Sequence, residues 1–303
     1  HTDLLSSRLQ PNHPTYDIEA IRAEIYEGMA YVIGDQVWGI NPSIDTVENC
    51  LRLYDLMWEI REKWNVPSGN CVLAHVTTQM ECLKKGAPVG QVFQSIAGTE
   101  DANKSFGISV GLLDEADEMA QKYCYAEGPN YMYFETGQGT ELSAYAHHGA
   151  DQLTLEARKH ALARRYQPIG VNSVVGFIGP EYLYDAIEII RAGLEDHFVG
   201  KLLGTPCGLD NCYTNHVRAD QNAIELAMVL NVAAGANYHM GVPMGDDVML
   251  SYQCASYHDT PTCWRIFGLR PAPEYEAWAE SLGLMKDGRL TDKAGDPSFF
   301  LKR

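Results

Sequence analysis

Short apolar runs alternate with longer amphipathic stretches along almost the whole chain. Each apolar run ends in a polar residue, a loop follows, and apolar positions then recur every three or four residues. Runs of the first kind predict strands, and stripes of the second kind predict helices. Strands are expected over residues 4–10, 37–41, 71–77, 92–97, 131–135, 172–177, 205–210 and 238–243. The first helix carries Ile18, Ile21, Ile25 and Met29 on one face behind an Asp17 cap. The second carries Val47, Leu51, Tyr54 and Trp58, with Asp45 and Glu48 resembling a capping box. Further helices are expected over residues 80–85, 110–122, a stretch ending at 165, 182–201, 222–234 and from about 247 onward.

Alternating strands and helices in this number, over about 260 residues, predict an α/β protein, a closed (β/α)8 TIM-type barrel. Residues 1–263 are assigned to the barrel and 264–303 to a C-terminal helical tail packed on it. An open doubly wound sheet is the competing arrangement. A dinucleotide fingerprint does not support it: Gly137-Gln138-Gly139 runs on into Thr140-Glu141-Leu142 without a third glycine, and reads as a flexible loop. A P-loop motif is also missing.

Charge and composition narrow the classes of partner. A net charge of −17 argues against nucleic acid and anionic membrane surfaces. No run approaches the roughly 20 apolar residues of a membrane-spanning helix. The eight cysteines are scattered and form no CxxC pair, which fits reduced, buried thiols in the cytosol. Cys207, Cys212 and His216 offer too few ligands for structural zinc, so no metal is expected. His147-His148 before Asp151 reads as a solvated helix start, and Asp246-Asp247 as a helix N-terminus.

Barrel chemistry sits at the C-terminal ends of the strands. Standing there are Arg8, Gln10, Asn41, His75, Gln94, Glu135, Phe177, Asp210 and Met240. Arg8 and Gln10 are two apart and share a strand face. Two carboxylates, a guanidinium and several amides suit a small polar molecule bearing an amine and a hydroxyl. Taken singly, each residue has a plainer reading: Arg8 and Glu135 as an ion pair closing the barrel, Asn41 capping the turn at Pro42, Asp210 capping the turn at Asn211. Amides outnumber metal-type ligands at this rim, which favours an organic ligand over a metal-dependent lyase or aldolase. An acidic assembly protein without activity is the other alternative.

Several long blocks carry a resemblance. Ser7-Arg8-Leu9-Gln10-Pro11-Asn12, Gly39-Ile40-Asn41-Pro42, Leu73-Ala74-His75-Val76-Thr77-Thr78-Gln79, Phe134-Glu135-Thr136-Gly137-Gln138-Gly139, Val175-Gly176-Phe177-Ile178-Gly179-Pro180-Glu181 and Cys212-Tyr213-Thr214-Asn215-His216 resemble the ethanolamine ammonia-lyase large subunit. The likeness runs in order from about Ser6 to Phe300, and the family's additional N-terminal region is expected to be absent. It implies a (β/α)8 barrel that uses adenosylcobalamin to convert ethanolamine to acetaldehyde and ammonia. It also implies a small-subunit partner, a homo-oligomer of large subunits, and a cytoplasmic setting within a bacterial microcompartment.

By matching positions, the resemblance gives Arg8, Gln10, Asn41, Glu135 and Asp210 to the substrate, with Arg8, Glu135 and Asp210 catalytic. Phe177 and Met240 would line the substrate pocket. Phe106 would stand near the adenosyl group, and Pro42, Gln94, Ser143 and Met249 would contact the cobalamin. No DxHxxG motif is present, in keeping with base-on binding of the cofactor.

Overall fold

A computed structural model describes residues 3–14, 17–177, 182–214 and 216–301. Ile178, Gly179, Pro180, Glu181 and Asn215 of the blocks above, and the His1-Thr2 start, lie outside them. In chain order the elements are β1 Ser6–Leu9, α1 Ile18–Ala30, β2 Val37–Ile40, α2 Val47–Trp64, β3 Gly69–Val72, α3 Val76–Lys84, β4 Val92–Ser95, α4 Glu100–Ser105, α5 Val110–Tyr123 and β5 Met132–Thr136. They continue with α6 Thr140–Ser143, α7 Gln152–Arg164, β6 Gly170–Val175, α8 Ala186–Leu203, β7 Cys207–Thr214, α9 Gln221–Ala233 and β8 Tyr238–Gly241. Beyond these lie β9 Asp246–Asp247, β10 Tyr252–Cys254, α10 Asp259–Phe267, α11 Pro273–Leu282, β11 Met285–Lys286, β12 Arg289–Leu290 and α12 Ser298–Leu301.

The eight principal strands run parallel in the order β3-β2-β1-β8-β7-β6-β5-β4, and helices fill the crossovers, as the alternating pattern predicts for a (β/α)8 barrel. Neighbouring strands pair through backbone ladders everywhere but at β3 and β4, among the described residues. Side-chain amides bridge that seam. Asn70 Oδ1 accepts from Gly90 N at 2.7 Å, and its Nδ2 donates to Pro88 O at 3.1 Å. Gln79 Nε2 donates to Ala74 O and Phe93 O at 2.7 Å each, while its Oε1 accepts from Phe93 N at 2.9 Å. Two glutamine and asparagine side chains thus satisfy backbone groups that a ladder would otherwise have paired.

Several local expectations give way to tertiary contacts. Asp45 does not cap α2: Thr46 does, accepting from Asn49 N, while Asp45 accepts from His75 N at 2.8 Å. The third strand ends at Val72, and His75 becomes the cap of α3. The seventh runs on to Thr214 because β10 pairs with it antiparallel. No helix starts at Asp247; Met244 (φ 55°) and Ser251 (φ 60°) turn the chain into the β9–β10 hairpin instead. Asp151 does cap α7, accepting from Thr154 N at 2.9 Å.

The main core lies between strands and helices. At the barrel's N-terminal end, the last segments pack on the loop before β2 and on α1 and α2. Tyr275 donates to Ile33 O at 2.8 Å, Trp278 Nε1 donates to Trp64 O at 2.9 Å, and Phe300 stacks on Tyr26 at 5.6 Å. The opposite end is left to the βα loops.

Candidate active site

Strand alternation decides what enters the barrel. Ser7 is held outside by Asp35 and Leu9 joins the outer core, so Arg8 points inward. Gly39 on β2 leaves room for it: a Cβ there would stand 2.8 Å from Arg8 Cδ. Nη1 of Arg8 donates to Tyr133 Oη and to Glu135 Oε1, both at 2.6 Å, and Nη2 donates to Gln10 Oε1 at 2.5 Å. Gln10 Nε2 in turn donates to Asp247 Oδ2 at 3.1 Å. Asn172, the register partner of Glu135 on β6, donates to the same Oε1 at 3.1 Å. The hydroxyls of Tyr133 and Tyr238 lie 2.8 Å apart.

This polar layer sits between two apolar ones. Val37, Cys71, Phe93, Tyr133 and Tyr238 fill the barrel toward the strand starts. Cys212, Met240, Val242 and Cys254, with Phe177 and Tyr252 against them, form a wall toward the mouth. Burial works against the Arg8 charge, yet Tyr133, Glu135, Tyr238 and Asp210 hold its pKa well above the usual value. The Asp210 carboxyl is pushed up to about 8, chiefly by burial; Arg8 opposes the rise, while Glu135 and Asp247 add to it. Burial likewise raises Asp247, against hydrogen bonds from Leu250 N and Gln10 and the charge of Arg8.

Three buried atoms of this layer have no hydrogen-bond partner among the described residues: Arg8 Nε, Asn172 Oδ1 and Asp210 Oδ1. Leaving a buried polar group bare costs about 1–3 kcal/mol, so unpartnered atoms gathered in one layer mark a candidate place for a ligand. What they would receive is a small molecule with N–H donors for the two oxygens and an acceptor for the guanidinium. Asn41, half-buried two residues beyond Gly39, makes no side-chain hydrogen bond to another described residue.

The remaining expected residues are spread around the mouth. Pro42 and Met249 are half-buried, and Ser143 is exposed, on the loops after β2, β8 and β5. Phe106 caps α4, with its carbonyl 2.9 Å from His75 Nε2. The Gln94 amide is engaged internally, accepting from Val76 N at 2.9 Å and donating to Ser95 O at 3.0 Å. Cys207 and Cys212 lie on opposite faces of β7, Cys207 by His197 and Cys212 donating to Val175 O, so they do not assemble with His216. Asp210, Cys212 and Cys254 do bring an oxygen and two sulfurs within 4.8 Å of one another. Burial pushes the Cys212 thiol up to about 11, as it does the Asp210 carboxyl to about 8.

Sequence reasoning missed Tyr133, Asn172, Tyr238 and Asp247. Tyr133 stands two residues before Glu135 and shares its face, a signal that was there to read. Asp247 was hidden behind the expected helix. The Gly137-Gln138-Gly139 segment is also not a free loop, because all of residues 136–141 are buried.

A (β/α)8 barrel with a buried, incompletely satisfied polar layer below its C-terminal rim has the layout of barrel enzymes, and that layer is its candidate ligand site. The profile of the ethanolamine ammonia lyase large subunit matches residues 1–293. The chain is 55% identical over 295 residues to the ethanolamine ammonia-lyase large subunit of Escherichia coli (strain K12) and 54% identical to that of Salmonella typhimurium. Each alignment covers 97% of this chain and 65% of the relative. The chain therefore belongs to the ethanolamine ammonia-lyase large-subunit family and spans 65% of the length of these relatives. Among solved structures, a type I 3-dehydroquinate dehydratase from Clostridium difficile aligns with a TM-score of 0.50 at 10% identity, over 87% of this chain and 92% of that one. That likeness is one of fold alone.

Proposed function

We propose that this chain is the catalytic barrel of an adenosylcobalamin-dependent enzyme that deaminates ethanolamine to acetaldehyde and ammonia. The observation that carries the proposal is the pair of unpartnered acceptors, Asp210 Oδ1 and Asn172 Oδ1, in the layer that also holds Arg8 and Glu135. Ethanolamine brings an ammonium for the acceptors and a hydroxyl for the donors. Asp210 and Glu135 face the ammonium, with Gln10 assisting. Arg8, through its free Nε, and Asn41 hold the hydroxyl. A cation beside Asp210 favours the ionised carboxylate that burial otherwise suppresses. Glu135 manages the proton as the amine moves: its Oε1 takes both hydrogen bonds, and its Oε2 receives none from the described residues. Phe177 and Met240 limit water at the reacting carbon.

The mouth suits a large flat cofactor. Ile44, Tyr145, Met244, Val248 and Leu250 stand exposed on the loops after β2, β5 and β8, a rim of large apolar side chains that a monomer seldom leaves bare. Pro42, Ser143 and Met249 share those loops and would hold the corrin. Phe106 would stand by the adenosyl group, and Gln94 would contribute through its backbone or after exchanging its internal bonds. Bound base-on, adenosylcobalamin would supply the homolytic chemistry that an unactivated C–H bond requires. The small subunit would cover the remaining rim, large subunits would associate with one another, and the assembly would work in the cytoplasm within a bacterial microcompartment. No helix among the described residues is long and apolar enough to cross a membrane.

The test is ammonia and acetaldehyde release from ethanolamine, in the dark, by the full-length large subunit with its small subunit and adenosylcobalamin. Release that requires the cofactor and falls at least about tenfold in kcat/KM in Glu135→Gln supports both reaction and site. No release from a folded, cofactor-loaded complex overturns the assignment of substrate.

A further inference from the structure

A second buried charge cluster lies outside the site, where α7 and α8 cover β5 and β6. Lys159, Glu141 and Glu156 are 0% exposed and Asp196 1%. Lys159 Nζ donates to Gly137 O at 2.6 Å and to Glu156 Oε2 at 3.0 Å, and it lies 3.2 Å from Glu141 Oε2. Around it, the segment that follows Glu135 is gripped almost residue by residue. Thr136 donates to Glu156, and Gln138 Nε2 donates to Asp196 Oδ1 at 2.7 Å. Gln138 Oε1 accepts from Tyr182 at 2.7 Å, and Gly139 N donates to Gln152 Oε1 at 2.8 Å. Glu141 Oε1 accepts from Gly98 N at 2.5 Å, which ties the loop after β4 into the same network. Gly137 also abuts Phe177, whose ring a Cβ there would approach to 2.6 Å.

Burying one ammonium among three carboxylates is a poor way to gain stability, since apolar packing of the same volume often does as well or better. The arrangement does fix a short stretch of backbone from several sides. We propose that Lys159 is a positioning residue: it holds the rim segment 136–141 so that Glu135 and Phe177 keep their places in the site. The proposal rests on the role given to Glu135 above. Lys159 touches neither substrate nor cofactor; its effect passes through the Gly137 carbonyl and the carboxylates that grip the neighbouring residues.

The experiment uses the full-length holoenzyme with Lys159→Met, Glu135→Gln and the double variant, together with Gln152→Leu as a milder release of Gly139 N. Amide hydrogen exchange over residues 136–141 is measured on the same complexes. The expected results are at least tenfold faster exchange in that segment for Lys159→Met, at least a tenfold fall in kcat/KM, and a double variant no worse than Glu135→Gln alone. Gln152→Leu should show the same pattern at a few-fold. Multiplicative losses in the double variant would mean a general structural role and would overturn the proposal, as would unchanged exchange in the segment. If Lys159→Met does not fold, Gln152→Leu decides by the same criteria. If the wild-type complex does not turn over ethanolamine, the functional reading fails separately, and the exchange data alone decide whether Lys159 holds the segment.

Discussion

Two buried clusters, each with one cation and three carboxylates, lie on opposite sides of the same strands. Inside the barrel are Arg8 with Glu135, Asp210 and Asp247; outside it are Lys159 with Glu141, Glu156 and Asp196. Their charges match, but what their unbonded atoms meet does not. Lys159 reaches a carbonyl and two carboxylates within 3.2 Å, and Glu141 Oε2, which has no hydrogen bond among the described residues, is the oxygen that lies 3.2 Å from its Nζ. The Arg8 cluster leaves a donor on Arg8, an acceptor on Asp210 and an acceptor on Asn172 unused. A network in which every charge has an opposite charge or a hydrogen bond within reach holds structure, whereas one that leaves buried donors and acceptors unused can be completed by something else.

The largest effect is expected at Lys159. Lys159→Met should lower the free energy of unfolding by about 3–5 kcal/mol, as when one partner of a buried pair is removed. Urea denaturation measures this, and a loss below about 1 kcal/mol would erase the distinction between the clusters. The inner cluster should behave in the opposite way. Asp210→Asn should cost at least about tenfold in kcat/KM, from a charge-assisted hydrogen bond of about 1.5–3 kcal/mol, with little loss of stability.

The pH dependence of stability sharpens this further. The Asp210 pKa is raised from 3.8 in the unfolded chain to about 8 in the fold, so the native state holds a proton that the unfolded state releases. Its stabilising contribution is full below pH 3.8 and is lost as pH rises through about 8. Across that range the wild type should therefore lose stability relative to Asp210→Asn in thermal melts without ligand; parallel profiles would contradict the assignment. The smallest effect is expected for Tyr133→Phe. It removes one neutral acceptor from Arg8 but keeps the contact with Glu135, and should cost about 1 kcal/mol, roughly fivefold in kcat/KM.

Much of this was legible in the sequence, for identifiable reasons. Strand starts and ends differ in polarity, and eight such runs spaced by amphipathic stretches leave few parallel folds open. Arg8, Gln10, Glu135 and Asp210 were visible because each is a polar residue ending an apolar run. What stayed hidden depends on partners distant in the chain. The seventh strand lengthens only because β10 returns to pair with it. Asp247 reads locally as a helix start, yet its carboxylate is occupied by Gln10 and Leu250 N. Glycines around Gln138 suggest freedom, but Lys159 and Gln152, from a helix that follows, remove it. The seam between β3 and β4 gives no local signal either, since an asparagine and a glutamine there look like any surface amides.

The most direct measurement is proton release on ethanolamine binding, by calorimetry in buffers of different ionisation enthalpy. The sample is the large–small subunit complex carrying cyanocobalamin, which lacks the adenosyl group needed for turnover. Near pH 7 the account predicts that wild type releases about one proton as the ammonium settles beside Asp210 and restores its charge, and that Asp210→Asn releases almost none. Equal release from the two proteins, or tight binding without any, would mean that the unpartnered carboxyl is not where the amine goes.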